Sequence, residues 1–281
     1  MPSRIRILMH KLKSDIPNDH LRTALGEIRL LSSVNDDNRI TIAKAGAIPL
    51  LTNLLTVPDS QIQEHAVIAL RNLSISDKNK GIIVSSGALP GIVHVLKEGS
   101  MEARENATAI LSGLSEFEKN QVEIGDVGAI PPLLLILYKG TPKGKKDAAH
   151  ALYHLCLYLD NRIRAVSAGV VPVLLDLPKE AWSEMHNDLM SILALISIEP
   201  EGIFAIDEAE AIPFLVEVIK SGPLLSEYTA VRILVRLCSA DRKYLVEIQE
   251  DGLVRKLKQM AKHGSYFESI DAQKLLNMVG Q

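Results

Sequence analysis

Three groups of side chains have types and spacings that could carry chemistry. His150 and His154 stand four apart, a spacing that puts two imidazoles on one helix face, as zinc sites use. Gly140-Thr141-Pro142-Lys143-Gly144-Lys145-Lys146 has the flavour of a phosphate cradle. Arg232 and Arg236 are again four apart, and paired guanidinium groups can grip a carboxylate or a phosphoryl group. The first two fail on their details. No glutamate follows His150, and no cysteine or third histidine converges at a ligand spacing. The glycine stretch lacks the spacing of a phosphate loop and follows a helix, not a strand, so it reads as the loop before a helix. The acidic residues are spread over solvated faces, and no Ser/His/Asp arrangement or carboxylate pair emerges. The expectation is therefore no catalytic residue, no metal and no cofactor. What remains is binding.

The elements that would position these residues are set by an internal repeat. Gly46-Ala47-Ile48-Pro49 returns as Gly87-Ala88-Leu89-Pro90, Gly128-Ala129-Ile130-Pro131 and Gly169-Val170-Val171-Pro172, each 41 residues on. Glu210-Ala211-Ile212-Pro213 continues the beat, and a worn copy, Gly252-Leu253-Val254-Arg255, follows 42 later. Asn38-Arg39, Asn79-Lys80, Asn120-Gln121 and Asn161-Arg162 keep the same period. So do Leu73-Ser74, Leu114-Ser115, Leu155-Cys156, Ile196-Ser197 and Leu237-Cys238. Three registers with one period of about 40 residues indicate armadillo or HEAT architecture.

Each unit reads as three helices. In residues 35–75 a short helix runs from about Asn38 to Lys44. Gly46 turns the chain, and Pro49 sits just inside a second helix ending near Leu55, where its missing N–H costs little. A third helix runs from Ser60 to Ser74, with Asp59 or Ser60 as N-cap. Ala66, Ala69, Leu70 and Leu73 form its core stripe. No unit can bury its apolar face alone, so the stack is the fold. The expectation is an all-α armadillo-repeat right-handed superhelical solenoid forming one domain over 1–281. It comprises a partial or capping repeat (1–34) and six repeats (35–75, 76–117, 118–158, 159–199, 200–240, 241–281). In the partial repeat Ile5 to Leu12 reads as a second helix and Asp19 to Ser32 as a third, with Lys11, Lys13 and Asp15 available to solvate the end. Cys156 and Cys238 occupy one slot two periods apart. At about 10 Å per stacked helix their sulfurs are on the order of 20 Å apart, so both read as core thiols. The stretch from Pro178 to His186 resembles no other repeat, and its Trp182, the only tryptophan, either plugs the stack or meets a partner.

A net charge of −3 from 31 basic and 34 acidic residues argues against a general nucleic-acid binder. No apolar run approaches the roughly 18–20 residues of a membrane span, and Met1-Pro2-Ser3-Arg4-Ile5-Arg6 does not open a signal peptide. A cytoplasmic or nuclear protein is the expected default.

With the core stripe pointing inward, offsets of 4, 7 and 8 place Asn72, Ile68, His65 and Glu64 toward a groove lined by third helices. Stepping through the repeats yields a column of Asn72, Gly113, His154, Leu195, Arg236 and Asn277. A second column holds Ile68, Ala109, His150, Ser191, Arg232 and Gln273. A third includes Glu64, Glu105, Lys146, Asn187 and Tyr228. The expected partner-binding groove comprises Glu64, His65, Ile68, Asn72, Glu105, Asn106, Lys146, His150, His154, Tyr228, Arg232 and Arg236. It runs from an acidic part through a lysine- and histidine-bearing middle to a basic part, where an acidic or phosphorylated segment would dock. The amides of Asn72 and Asn277 could hold a partner's backbone; otherwise these are solvated surface groups.

The repeats resemble one family in particular. Gln63-Glu64-His65-Ala66-Val67 with Leu73-Ser74-Ile75, Gly99-Ser100-Met101-Glu102-Ala103-Arg104-Glu105-Asn106-Ala107, and Gly140 through Ala149 are similar to the armadillo region of plant U-box ubiquitin ligases. The likeness covers nearly the whole chain, is strongest from about 35 to 170 and fades after Asp176. It implies a module that selects protein partners and substrates, receptor-like kinase domains among them, for ubiquitination. No Cys-Pro-Ile-type U-box segment precedes the repeats, so this chain alone is expected not to ligate ubiquitin. The alternative is an importin-like or other armadillo adaptor. Importin-like adaptors use successive Trp and Asn pairs along the groove, whereas the tryptophan slots here hold Ile68, Ala109, His150, Ser191 and Arg232.

Overall fold

The computed structural model describes residues 2–13, 17–248 and 251–280, and every regular element among them is an α-helix. Asp15 lies outside the described residues. The chain groups into two compact units, Met1–Leu155 and Cys156–Gln281.

The first unit opens with α1 (Pro2–Lys13) and α2 (Asn18–Val34). The next repeat is α3 (Asp36–Lys44), α4 (Ala47–Asn53) and α5 (Ser60–Ser74). It is followed by α6 (Asp77–Ser85), α7 (Leu89–Glu98) and α8 (Met101–Ser115), then α9 (Glu118–Asp126), α10 (Ile130–Lys139) and α11 (Pro142–Cys156). The third helices stack side by side, α2 on α5 and α5 on α8. Ala66, Ala69, Leu70 and Leu73 are fully buried, as the stripe predicts. Of the two N-cap candidates, Asp59 holds the position: its Oδ1 accepts from the Gln61 and Ile62 amides, each at 3.1 Å.

The second unit repeats the plan with α12 (Leu159–Ser167), α13 (Val170–Leu175) and α14 (Lys179–Ile196). Next come α15 (Pro200–Glu208), α16 (Ile212–Ser221) and α17 (Leu224–Ala240), then α18 (Tyr244–Glu247), α19 (Asp251–His263) and α20 (Tyr266–Val279). Here α14 packs on α17 and α17 on α20. The irregular stretch from Pro178 forms a helical extension of α14 that kinks at Met185, where φ is −124° and ψ 17°. Trp182 plugs this unit: it is 7% exposed, its indole N–H donates to the Leu174 carbonyl at 2.9 Å, and its ring lies 4.8 Å from Phe214. Cys156 and Cys238 are buried and form no disulfide, and burial pushes the Cys156 thiol up to about 12.

The recurring glycine has a backbone cause. Gly46, Gly87, Gly128 and Gly169 all take positive φ, between 72° and 88°, at the turn into the second helix. At Gly46 a Cβ would meet nothing within 4 Å, so the requirement is conformational and not steric. In the fifth copy Glu210 occupies this left-handed position at φ 49°.

The recurring asparagine also has a cause. Asn38, Asn79 and Asn120 are buried, and each Nδ2 donates to a carbonyl at the end of the preceding third helix: Leu31, Leu73 and Leu114, at 2.9–3.0 Å. The last carbonyls of a helix have no partner within it, and these amides supply one. The next residue adds to the effect, as Arg39 donates to the Ser32 carbonyl and Gln121 to that of Ser115.

Candidate partner-binding surface

In the first unit, α5, α8 and α11 present the candidate residues. Glu64 is half-buried and accepts from the Ser100 hydroxyl at 2.9 Å. Glu105 accepts from the Thr141 amide at 2.8 Å. The two glutamates thus hold the start of the following third helix, where a negative charge also meets the positive end of the helix dipole. Asn106 turns back on its own helix, donating to the Glu102 carbonyl at 2.8 Å. Ile68 is buried at 7% exposure. His65 is half-buried, and burial, reinforced by Arg29, lowers its pKa and favours the neutral imidazole.

Asn72 is not the surface amide its column suggests. It is 6% exposed and donates to the Arg29 carbonyl at 3.1 Å and the Ser32 hydroxyl at 3.2 Å. Its side chain ties α5 to α2, and its donors are not available to a partner backbone. His150 and His154 meet ring to ring at 4.5 Å in a T-shaped contact, and His150 Nε2 lies 3.4 Å from Glu116 Oε1. Among the described residues no group of three or more potential ligands could hold a metal ion. Lys146 is exposed on α11.

The small side chains of α8 open a cleft between its neighbours. Ala109 and Gly113 stand in the slots that Ile68 and Asn72 fill on α5, and a cleft of about 240 Å³ results. Its walls carry Arg71 from α5, Lys143 and Asp147 from α11, and Lys80 from α6. Lys80 is held in place. Its ammonium contacts Asp77 at 2.9 Å and Glu116 at 3.3 Å, and it lies 5.1 Å from the centre of the Phe117 ring. Burial alone would lower its pKa, but the bonds to Asp77 and Glu116 outweigh burial and raise it. Asp147 is raised by burial against the opposing pull of Lys143 and Arg71. Arg71, Lys80, Glu116 and Asp147 were not among the expected groove residues. Two further columns, seven residues beyond those of Glu64 and Ala109, would have found Arg71 and Glu116, and the position after the recurring asparagine would have found Lys80.

In the second unit the basic pair is largely committed within the fold. Arg236 is half-buried and donates to the Ala194 carbonyl at 2.6 Å and the Ser197 hydroxyl at 2.8 Å. Burial, helped by Arg232, lowers its pKa. It does for α17 and α14 what Asn72 does for α5 and α2. Arg232 is exposed and pairs with Asp271 at 3.2 Å. Tyr228 is half-buried, and burial raises its phenol pKa, with Glu268 adding to the effect. Asn277 accepts from Gln273 at 2.9 Å on the exposed face of α20. No single helix among the described residues is long and apolar enough to cross a membrane.

A family model described as the plant U-box protein ARM repeat region matches residues 4–265. U-box domain-containing protein 13 of Arabidopsis thaliana is 62% identical over 279 residues, which is 99% of this chain and 42% of that protein. U-box domain-containing protein 12 of Oryza sativa subsp. japonica is 63% identical over 274 residues, 98% of this chain and 45% of that protein. The chain therefore spans less than half the length of these curated relatives. Among solved structures, a designed armadillo repeat protein superposes with a TM-score of 0.67 at 22% identity, covering 84% of this chain and 99% of that one. That likeness establishes the armadillo fold.

Proposed function

The chain belongs to the armadillo-repeat region family of plant U-box proteins, and on that premise we propose that it recruits partner proteins for ubiquitination. The family match over nearly the whole chain is the observation that carries this reading. The chain supplies surface and no reaction: the ligase chemistry belongs to the U-box of the longer proteins, and the repeats choose what it acts on. The third-helix faces suit this role, because they present charged and amide side chains on a backbone held rigid by buried clamps such as Asn72. Receptor-like kinase domains are the partner class we would test first. The cytoplasm, with the nucleus as an extension, is the proposed setting.

The test compares a U-box joined to this chain with the U-box alone. Proteins captured from plant extract by the chain, and a recombinant receptor-like kinase domain, serve as substrates in reconstituted ubiquitination. Substrates modified only when the repeats are attached support recruitment. Equal modification by the U-box alone, or capture without modification, would overturn it. Arg232→Glu reports whether the exposed guanidinium contributes. Arg236 is a poor probe of binding, since replacing it also unties α17 from α14.

A further inference from the structure

We propose that the cleft between α5, α8 and α11 takes a phosphoryl group carried on a serine or threonine of a partner segment, gripped by Arg71 and Lys143. The proposal rests on the recruiting role above and specifies the partner's chemistry.

Three observations lead here. First, the cleft exists because side chains are missing. Ala109 and Gly113 lie between Ile68 and Asn72 on one flanking helix and His150 and His154 on the other, so the opening is confined to α8. Second, the Arg71 and Lys143 side chains line it and make no hydrogen bond or ion pair among the described residues. Arg22, Lys80, Arg232 and Arg236, by contrast, are engaged within the fold. Third, the neighbouring carboxylates are mostly committed: Glu105 to the Thr141 amide, and Glu116 to Lys80 and His150.

Asp147 shares the cleft. Its carboxylate makes no hydrogen bond among the described residues and feels Lys143 and Arg71 only at a distance. Burial favours its protonated form. A guanidinium, by contrast, keeps its charge under all ordinary conditions. The lining carries three cations, Arg71, Lys80 and Lys143, against two carboxylates, Glu116 and Asp147. That excess of positive charge favours an anion. A phosphoryl group, with a charge approaching −2 and three acceptor oxygens, matches two cations and the adjacent Ser112 hydroxyl better than a carboxylate does.

The test is a nuclear magnetic resonance titration of the whole isotope-labelled chain at constant pH. The probe is a short glycine/alanine peptide with one central phosphoserine; versions with serine or glutamate at that position are controls. Saturable shifts at the Gly113 and Gly144 amides are expected with phosphoserine, weaker ones with glutamate and none with serine. Arg71→Gln/Lys143→Gln should abolish them while leaving the remaining spectrum in place. Asp147→Asn should tighten binding several-fold, because a competing negative charge is removed; a merely structural role for Asp147 would not do this. No binding, equal shifts in the double variant, equal affinity for the glutamate peptide or weaker binding by Asp147→Asn would each overturn the assignment. A chain that directs ubiquitination yet ignores the phosphopeptide would sink this site and leave recruitment standing. Phosphopeptide binding without directed ubiquitination would do the reverse.

Discussion

The two units carry one repeat but close it with different atoms. In the first, α5 and α8 begin on side-chain caps from Asp59 and Ser100. In the second, α14 and α17 begin after Pro178 and Pro223 with no side-chain cap bond, while α20 keeps a capping box between Ser265 and Glu268. The first-helix asparagine that secures the Leu73 and Leu114 carbonyls is replaced by Gly202 in the fifth repeat. A Cβ there would stand 1.9 Å from the Ile196 carbonyl oxygen, so glycine lets the backbone itself close on the helix end. Asn72 and Arg236 share one slot and make equivalent bonds to the preceding third helix. The interaction pattern is thus more persistent than the residue pattern. A repeat can lose its signature and keep its joints.

The sharpest way to break this comparison is at Gly202. Gly202→Ala drives a methyl into a backbone oxygen that cannot rotate away, and should cost on the order of 3 kcal/mol of stability. Gly81→Ala, with nothing within 4 Å, should be neutral or gain roughly 0.5–1 kcal/mol from helix propensity. Denaturant titration of both variants checks the contrast, and equal effects would mean that Gly202 is not a joint. Next in size is Asn120→Ala, which leaves the buried Leu114 carbonyl without its side-chain donor and should cost about 2 kcal/mol. Asn277→Ala, on the exposed face of α20, should be nearly silent in the same assay.

A smaller effect of opposite sign is expected at the turn. Glu210→Gly relieves a left-handed backbone and should stabilise by about 1 kcal/mol, whereas Gly169→Glu should destabilise by a similar amount or more. Thermal melts of the pair would show whether the second unit tolerates strain that the first avoids. The smallest effect concerns acid. The hydrogen bond from Arg22 holds the Asp59 carboxyl below its ordinary value of 3.8. Its contribution is therefore complete above that value and lost as pH falls through the depressed pKa. Asp59→Asn keeps a capping oxygen but removes the charge. Its stability should fall less than that of the parent between pH 7 and acid, and parallel acid denaturation curves would refute the pairing.

Much of the fold was legible because repetition exposes backbone requirements. The positive φ at Gly46 and its counterparts leaves a residue-level mark, and so does the proline just inside the next helix. The periodic asparagines were visible as a register, although their donation to helix-end carbonyls was not. The site was less legible. Projection from a single helix placed Asn72 and Arg236 off their own core stripe. It could not know that this direction points into the carbonyl end of the neighbouring helix. Lys80 was missed for a related reason: it reaches the cleft from a first helix, outside any third-helix column. Trp182 declared itself by its type, since one large ring in an irregular stretch needs a pocket, and Phe214 supplies one wall.

The asparagine clamps also have a direction. Asn38, Asn79 and Asn120 each fasten a carbonyl that lies six or seven residues earlier in the chain. On a ribosome that segment emerges first, and its fastener follows. A third helix leaving the exit tunnel therefore has a loose trailing end until the start of the next repeat is also outside. At these three joints a repeat is completed by its successor, so the growing array passes through an unfinished end at each of them, and vectorial synthesis turns a static hydrogen bond into a timing rule.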